Sequence, residues 1–143
     1  MHTRLMRTDD LCTNVLLLIM VLIYGCQPPG IVTNRQKFNT HLNSIKLNEF
    51  PALKVYYGGA ICEIPLKSLQ ELVIDHSNVI QYDDELYFGA KIVLKNGMSI
   101  KSNQNDSKFL PYVSVQNTII GRHNSETFQI GLQDVARIEI LQR

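Results

Sequence analysis

From Leu53 to the C-terminus, apolar and polar positions alternate with a period of two, broken at intervals by glycine, asparagine and aspartate. This is the pattern of half-buried β-strands joined by tight turns. Lys54–Tyr57, Gly58-Gly59 and Ala60–Ile64 predict one hairpin, the glycine pair supplying the positive φ of a short turn. Lys91–Lys95, Asn96-Gly97 and Met98–Ser102 predict a second, followed by a polar loop at Ser102–Lys108. Tyr112–Gly121, Glu126–Ile130 and Arg137–Leu141 predict three further strands, with a turn at Arg122–Ser125. Upstream, Phe38, Leu42 and Ile45 stand at i, i+4 and i+7 within Gln36–Glu49. That stripe suits a short amphipathic helix with Asn34 as its N-cap; an extended linker is the alternative.

One pattern occurs twice. Cys62–Ile74 (CEIPLKSLQELVI) and Phe128–Ile140 (FQIGLQDVARIEI) place apolar residues at matching positions, at an offset of 66 residues. Cys62 matches Phe128, Ile64 matches Ile130, Leu66 matches Leu132, Leu69 matches Val135, Leu72 matches Ile138 and Ile74 matches Ile140. Alternation up to Ile64 or Ile130 predicts a strand, the step from Leu66 to Leu69 one helical turn, and the renewed alternation a closing strand. Pro65 and Gly131 stand at the bend.

Strand, helical turn and closing strand together resemble the end of an SH3-like or Sm-like small β-barrel. The stretch Lys91–Leu141 is similar to the compact β-domains of small bacterial lipoproteins and exported proteins, through Ile130, Leu132, Asp134, Val135 and Ile138. The expected fold is mainly β: a small SH3-like barrel or a twisted antiparallel sheet over residues 51–143, built as two related halves or one merged sheet.

The longest apolar run lies at the other end, at Leu16–Tyr24. Arg4 and Arg7, then the apolar stretch Val15–Ile23, then the small Gly25 follow the order of a secretory signal peptide. Counted from Leu11 to Tyr24 the stretch has fourteen residues, against the roughly 17–25 of a spanning helix. Its end, Ile23-Tyr24-Gly25-Cys26, resembles the lipobox of bacterial lipoproteins. The resemblance implies cleavage between Gly25 and Cys26, a diacylglyceryl thioether on Cys26 and acylation of the new N-terminus. Residues 1–25 then form the signal peptide and residues 26–50 a lipid-anchored tether, with Gln27-Pro28-Pro29-Gly30 lifting the domain off the bilayer. Gln27, in place of the aspartate that retains enteric lipoproteins at the inner membrane, implies the outer membrane, facing the periplasm.

The remaining composition narrows the chemistry. The net charge is +1, and no block of like charge gives the footprint of a nucleic-acid partner. With Cys12 lost and Cys26 acylated, Cys62 is expected as a buried small hydrophobe, with no intramolecular disulfide in the mature domain and no cysteine zinc site. His41, His76 and His123 have no metal-ligand spacing and are expected on exposed loops. Asp83-Asp84-Glu85 is expected as a solvated turn, lacking the layout of a calcium loop. Motifs of nucleophilic catalysis or phosphate cradling are missing, so neither enzymatic activity nor a cofactor is expected.

Tyrosines suggest a contact surface instead. Tyr56, Tyr57, Tyr82 and Tyr87 are the candidate binding face, with neighbours Tyr56 and Tyr57 pointing to opposite sides of a strand. The expected function is a non-catalytic interaction module held at the cell envelope by lipid, contacting an envelope protein or polymer. The alternatives are an assembly lipoprotein that oligomerises through strand edges, and an envelope hydrolase with His76 or His123 beside a carboxylate in a deep pocket.

Overall fold

A computed structural model describes residues 27–100 and 105–141; Gly25, Cys26 and the signal segment lie outside them. Twelve strands run through the described residues: β1 Gly30–Asn34, β2 Asn39–Leu42, β3 Ser44–Leu47, β4 Ala52–Tyr57, β5 Ala60–Pro65 and β6 Leu69–Tyr82, then β7 Glu85–Leu94, β8 Ser99–Ile100, β9 Tyr112–Ser114, β10 Thr118–His123, β11 Glu126–Gly131 and β12 Val135–Ile140. Every pairing is antiparallel. The larger sheet has the order β2-β1-β12-β6-β7-β9-β4-β5, with β8 on β7, and the smaller has the order β11-β10-β3. Neither closes on itself. The twisted antiparallel sheet is therefore the fold, and the closed barrel is corrected to two open sheets over one core.

The sequence repeat is a structural repeat. Both copies run strand, 3₁₀ turn, strand, with turns at Leu66–Ser68 and Leu132–Asp134. Pro65 (φ −69°, ψ 145°) and Gly131 (φ −70°, ψ 143°) enter the two turns with nearly the same backbone. The likeness extends upstream to the hairpins: Ala52 pairs with Pro65 as Thr118 pairs with Gly131, and Tyr57 with Ala60 as His123 with Glu126. It also covers the first hairpin of each half. Asn34 N–H donates to Phe38 O at 3.0 Å as Leu94 N–H donates to Met98 O at 2.8 Å, with Lys37 (φ 71°) and Gly97 (φ 84°) in matching left-handed positions.

The two halves exchange strands. The opening strand of each pairs with the closing strand of the other, β1 with β12 and β7 with β6. The third strand of each lies beside the fourth of the other, β3 with β10 and β9 with β4. Leu72 and Ile138, equivalent positions of the repeat, are direct cross-strand partners and both fully buried. An approximate internal two-fold axis therefore passes between them, at the centre of a core shared by both halves.

Residues 26–50 need correction. Gln36–Glu49 forms no helix but contributes β2 and β3. The chain bends at Asn43, so inward-facing Leu42 and Ile45 fall three residues apart and mimic a helical step, while Phe38 is 70% exposed. Asn34 caps no helix; its Oδ1 accepts from the N–H groups of Gln36 and Phe38 at 3.0 and 2.9 Å, tightening the β1–β2 turn. Nor is Pro28-Pro29-Gly30 a free tether. Ile45 N–H donates to Pro28 O and Leu141 N–H to Pro29 O, both at 3.0 Å, and Gly30 begins β1.

Candidate functional site

Alternation along three neighbouring strands builds one outward face. On β4, Leu53 and Val55 point into the core, which leaves Lys54 and Tyr56 on the other side. On β9, Val113 is in the core and Tyr112 and Ser114 face outward with them. On β7, Glu85 and Tyr87 share that side, Tyr87 opposite Ser114 and Glu85 opposite Tyr82 of β6.

The tyrosines cluster around Tyr56. Its ring centroid lies 4.7 Å from Tyr82, 6.3 Å from Tyr87 and 6.5 Å from Tyr112. Tyr82 and Tyr87 meet at 6.3 Å, near-perpendicular. These tilted and edge-on geometries are the favoured ones for aromatic pairs. Tyr87 lies beneath and is 1% exposed, whereas Tyr82 is 38% exposed and Tyr56 half-buried. Tyr112 also donates to Asn78 Oδ1 at 3.4 Å.

An ion pair closes the other side. Lys54 Nζ lies 2.7 Å from Glu85 Oε1, and the Ser114 hydroxyl donates to Glu85 Oε2. Burial alone would raise the Glu85 carboxyl, but the hydrogen bonds from Lys54 and Ser114, with the Lys54 charge, outweigh it and hold the group below its ordinary value. The hydrogen bond to Glu85 raises Lys54 in turn. Burial, followed by the Glu85 charge, pushes the Tyr87 phenol up.

A glutamate with a depressed folded pKa stabilises the fold above its unfolded value, 4.5 for Glu85, and that stability is lost as pH falls through the folded value. Glu85→Gln is accordingly expected to cost about 1–2 kcal/mol near pH 7. The Lys54 side chain is 36% exposed, which keeps the loss below that of a fully buried pair. Urea denaturation at pH 7 and pH 3 checks this: the gap between native and variant should narrow at the lower pH.

Sequence reasoning named Tyr56, Tyr57, Tyr82 and Tyr87 as the candidate binding face, with Tyr56 and Tyr57 on opposite sides of their strand. The structure joins Tyr56, Tyr82 and Tyr87, adds Tyr112, and turns Tyr57 to the other side against Phe109, at 5.5 Å. Lys54 and Ser114 were missed, although each lies two residues from a clustered tyrosine on its strand and so shares its side. Asp83 and Asp84 form the expected exposed turn, with φ of 52° and 61°, but Glu85 leaves it for the site.

Other expected sites fall elsewhere. The histidines are on strands rather than loops. His76 Nε2–H donates to Val135 O at 2.7 Å and its ring packs on Phe88 at 5.2 Å. His123 Nδ1–H donates to His41 O at 2.7 Å, at the rim of an open recess of about 310 Å³ that also holds Glu126. Among the described residues no histidine bonds a carboxylate, and no three ligating side chains are grouped for a metal. Cys62 is 2% exposed, as expected of a buried small hydrophobe.

The fold is similar to that of a solved structure. It is the crystal structure of protein VPA1032 from Vibrio parahaemolyticus, similar with a TM-score of 0.54 at 7% identity, over 95% of this chain and 57% of that one. The chain thus spans little more than half of that protein's length, and the likeness concerns the fold alone. No protein-family profile matches the chain, and neither does any curated protein. What the site offers must be taken from its geometry. A cluster of tilted tyrosine rings is bordered by a satisfied ion pair, and the Ser114 hydroxyl is committed to Glu85.

Proposed function

We propose that the protein is a bacterial lipoprotein, anchored through Cys26 at the outer membrane and facing the periplasm, whose β-domain is a non-catalytic interaction module. Its contact surface is the tyrosine face, and its partner is an envelope protein or polymer. The observation that carries the second half is the Tyr56–Tyr82 pair, held at 4.7 Å with Tyr82 exposed above a buried Tyr87. Rigid tyrosines with few rotatable bonds bring contact area at low entropic cost. The order of charge, apolar run and Ile23-Tyr24-Gly25-Cys26 carries the first half.

The intact mass of the membrane-extracted protein tests the anchor. A chain starting at an acylated Cys26 supports the proposal, and an unprocessed full-length chain contradicts it.

A photo-crosslinking residue at position 82, compared with one at the distant exposed Gln70, tests the contact surface in whole cells. The expected result is a discrete adduct from position 82 that Tyr56→Ala abolishes while membrane attachment persists. Equal adduct patterns at positions 82 and 70 would contradict the assignment of this face.

A further inference from the structure

We infer that the outer face of the small sheet β11-β10-β3 is the surface this domain lays against an anionic lipid bilayer. The inference rests on the reading that residues 16–26 deliver the chain to a membrane, and it adds which way the domain faces.

The geometry of the N-terminal connection comes first. The chain is hydrogen-bonded into the domain from Pro28 onward, through Ile45 N–H to Pro28 O and Leu141 N–H to Pro29 O, both at 3.0 Å. Gln27 alone stands between that anchorage and Cys26. Two extended residues reach roughly 7 Å, about the depth of one headgroup layer. A domain anchored through Cys26 therefore lies on the membrane surface. Pro28 sits along the edge of β3 that β10 leaves open, so the chain meets the membrane beside this same sheet.

Charge points the same way. Ile45, Leu47 and Ile119 fill the core side of the small sheet. Register then places Lys46, Ile120, Arg122, Thr127 and Gln129 on the opposite side, with no acidic residue among them. Lys46 and Arg122 are exposed, and among the described residues neither makes an ion pair. Two carboxylates lie at the margins: Glu49 accepts from Thr118 N–H at 2.8 Å, and Glu126, the cross-strand partner of His123, falls by strand parity on the opposite side from Thr127. Two free basic side chains around the half-buried Ile120 fit anionic headgroups. Each is worth roughly a fivefold gain in association near such a surface.

The internal two-fold strengthens the assignment. In the other half, the positions equivalent to Lys46 and Arg122 are Ser114 and Tyr56, members of the tyrosine face. One duplicated surface has become basic beside the anchor, and the other aromatic.

The test uses the acylated protein, reconstituted in vesicles of phosphatidylcholine with about 30 mol% phosphatidylglycerol as the anionic lipid. A benzophenone side chain at Thr127 is compared with one at Asp84, reading crosslinks to lipid. The expected result is a yield at position 127 at least about fivefold above position 84, falling at least about fivefold in the Lys46→Gln, Arg122→Gln double variant and on pure phosphatidylcholine. Equal yields at the two positions, or a yield at 127 unaffected by the double variant and by lipid charge, would overturn the inference while leaving the anchor intact. Protein that fails to float with the vesicles would overturn the anchor reading, and this inference with it.

Discussion

Ile138→Ala is expected to destabilise the domain by about 3–4 kcal/mol, near the upper part of the range for deleting a fully buried aliphatic side chain. Ile138 is 0% exposed and faces Leu72, also 0% exposed, across the β12–β6 pair. This is where the two halves meet. A cavity here is walled by β1 and β12 on one side and by β6 and β7 on the other, and each of those pairs is held by strands of both halves. The walls cannot relax inward independently, so most of the cavity term survives. Leu72→Ala, at the equivalent position, should cost a similar amount. Urea denaturation followed by tryptophan-free probes such as tyrosine fluorescence reads both. A loss below about 1 kcal/mol in either variant would mean the centre is not packed as described.

Gly121→Val is expected to cost about 3 kcal/mol, the top of the usual range for overpacking. Gly121 stands where the other half has the buried Val55, so the repeat alone would make valine acceptable there. The neighbours forbid it. A Cβ on Gly121 would lie 2.6 Å from Leu42 Cδ1 and 2.7 Å from the Ser44 carbonyl oxygen. The leucine could swing aside, but the carbonyl belongs to β3, which is hydrogen-bonded to β10. Adding Leu42→Ala to Gly121→Val should therefore not restore stability, and full rescue by that second change would contradict the packing described. Beside Gly121, Leu42 fills the volume that the Val55 side chain itself fills at the equivalent position.

Much of this fold was legible in residue order. The hairpin Ala52–Pro65, the Asn96-Gly97 turn and the two strand, 3₁₀ turn, strand segments follow from alternation and turn chemistry, which are local. What was hidden is non-local. Tyr112–Gly121 reads as one strand, but the chain breaks at Gln116-Asn117, where Asn117 Nδ2 donates to Phe50 O and Asn117 Oδ1 accepts from Glu49 N–H, both at 3.0 Å. Nothing near Asn117 in the sequence announces those partners. The exchange of strands between halves was hidden for the same reason, since a repeat states that two segments are alike and not which strands they pair with.

The candidate site divides in the same way. Tyr56, Tyr82 and Tyr87 were found by residue type, and Tyr57 was separated from them by strand parity. Glu85 was concealed inside an acidic run, two of whose members do face solvent as a turn. Its meeting with Lys54 spans 31 residues and depends on β9 lying between β4 and β7. The basic face of the small sheet was invisible because Lys46 and Arg122 are far apart in the chain, and only the β3–β10 register places them together.

The measurement that bears most directly on the account is palmitate labelling with membrane fractionation of the native chain against Cys26→Ser. The account predicts a labelled, membrane-bound native protein and an unlabelled variant that leaves the membrane fraction. A native protein without label, its first 25 residues still attached, would contradict the anchor, and with it the orientation inferred for the domain.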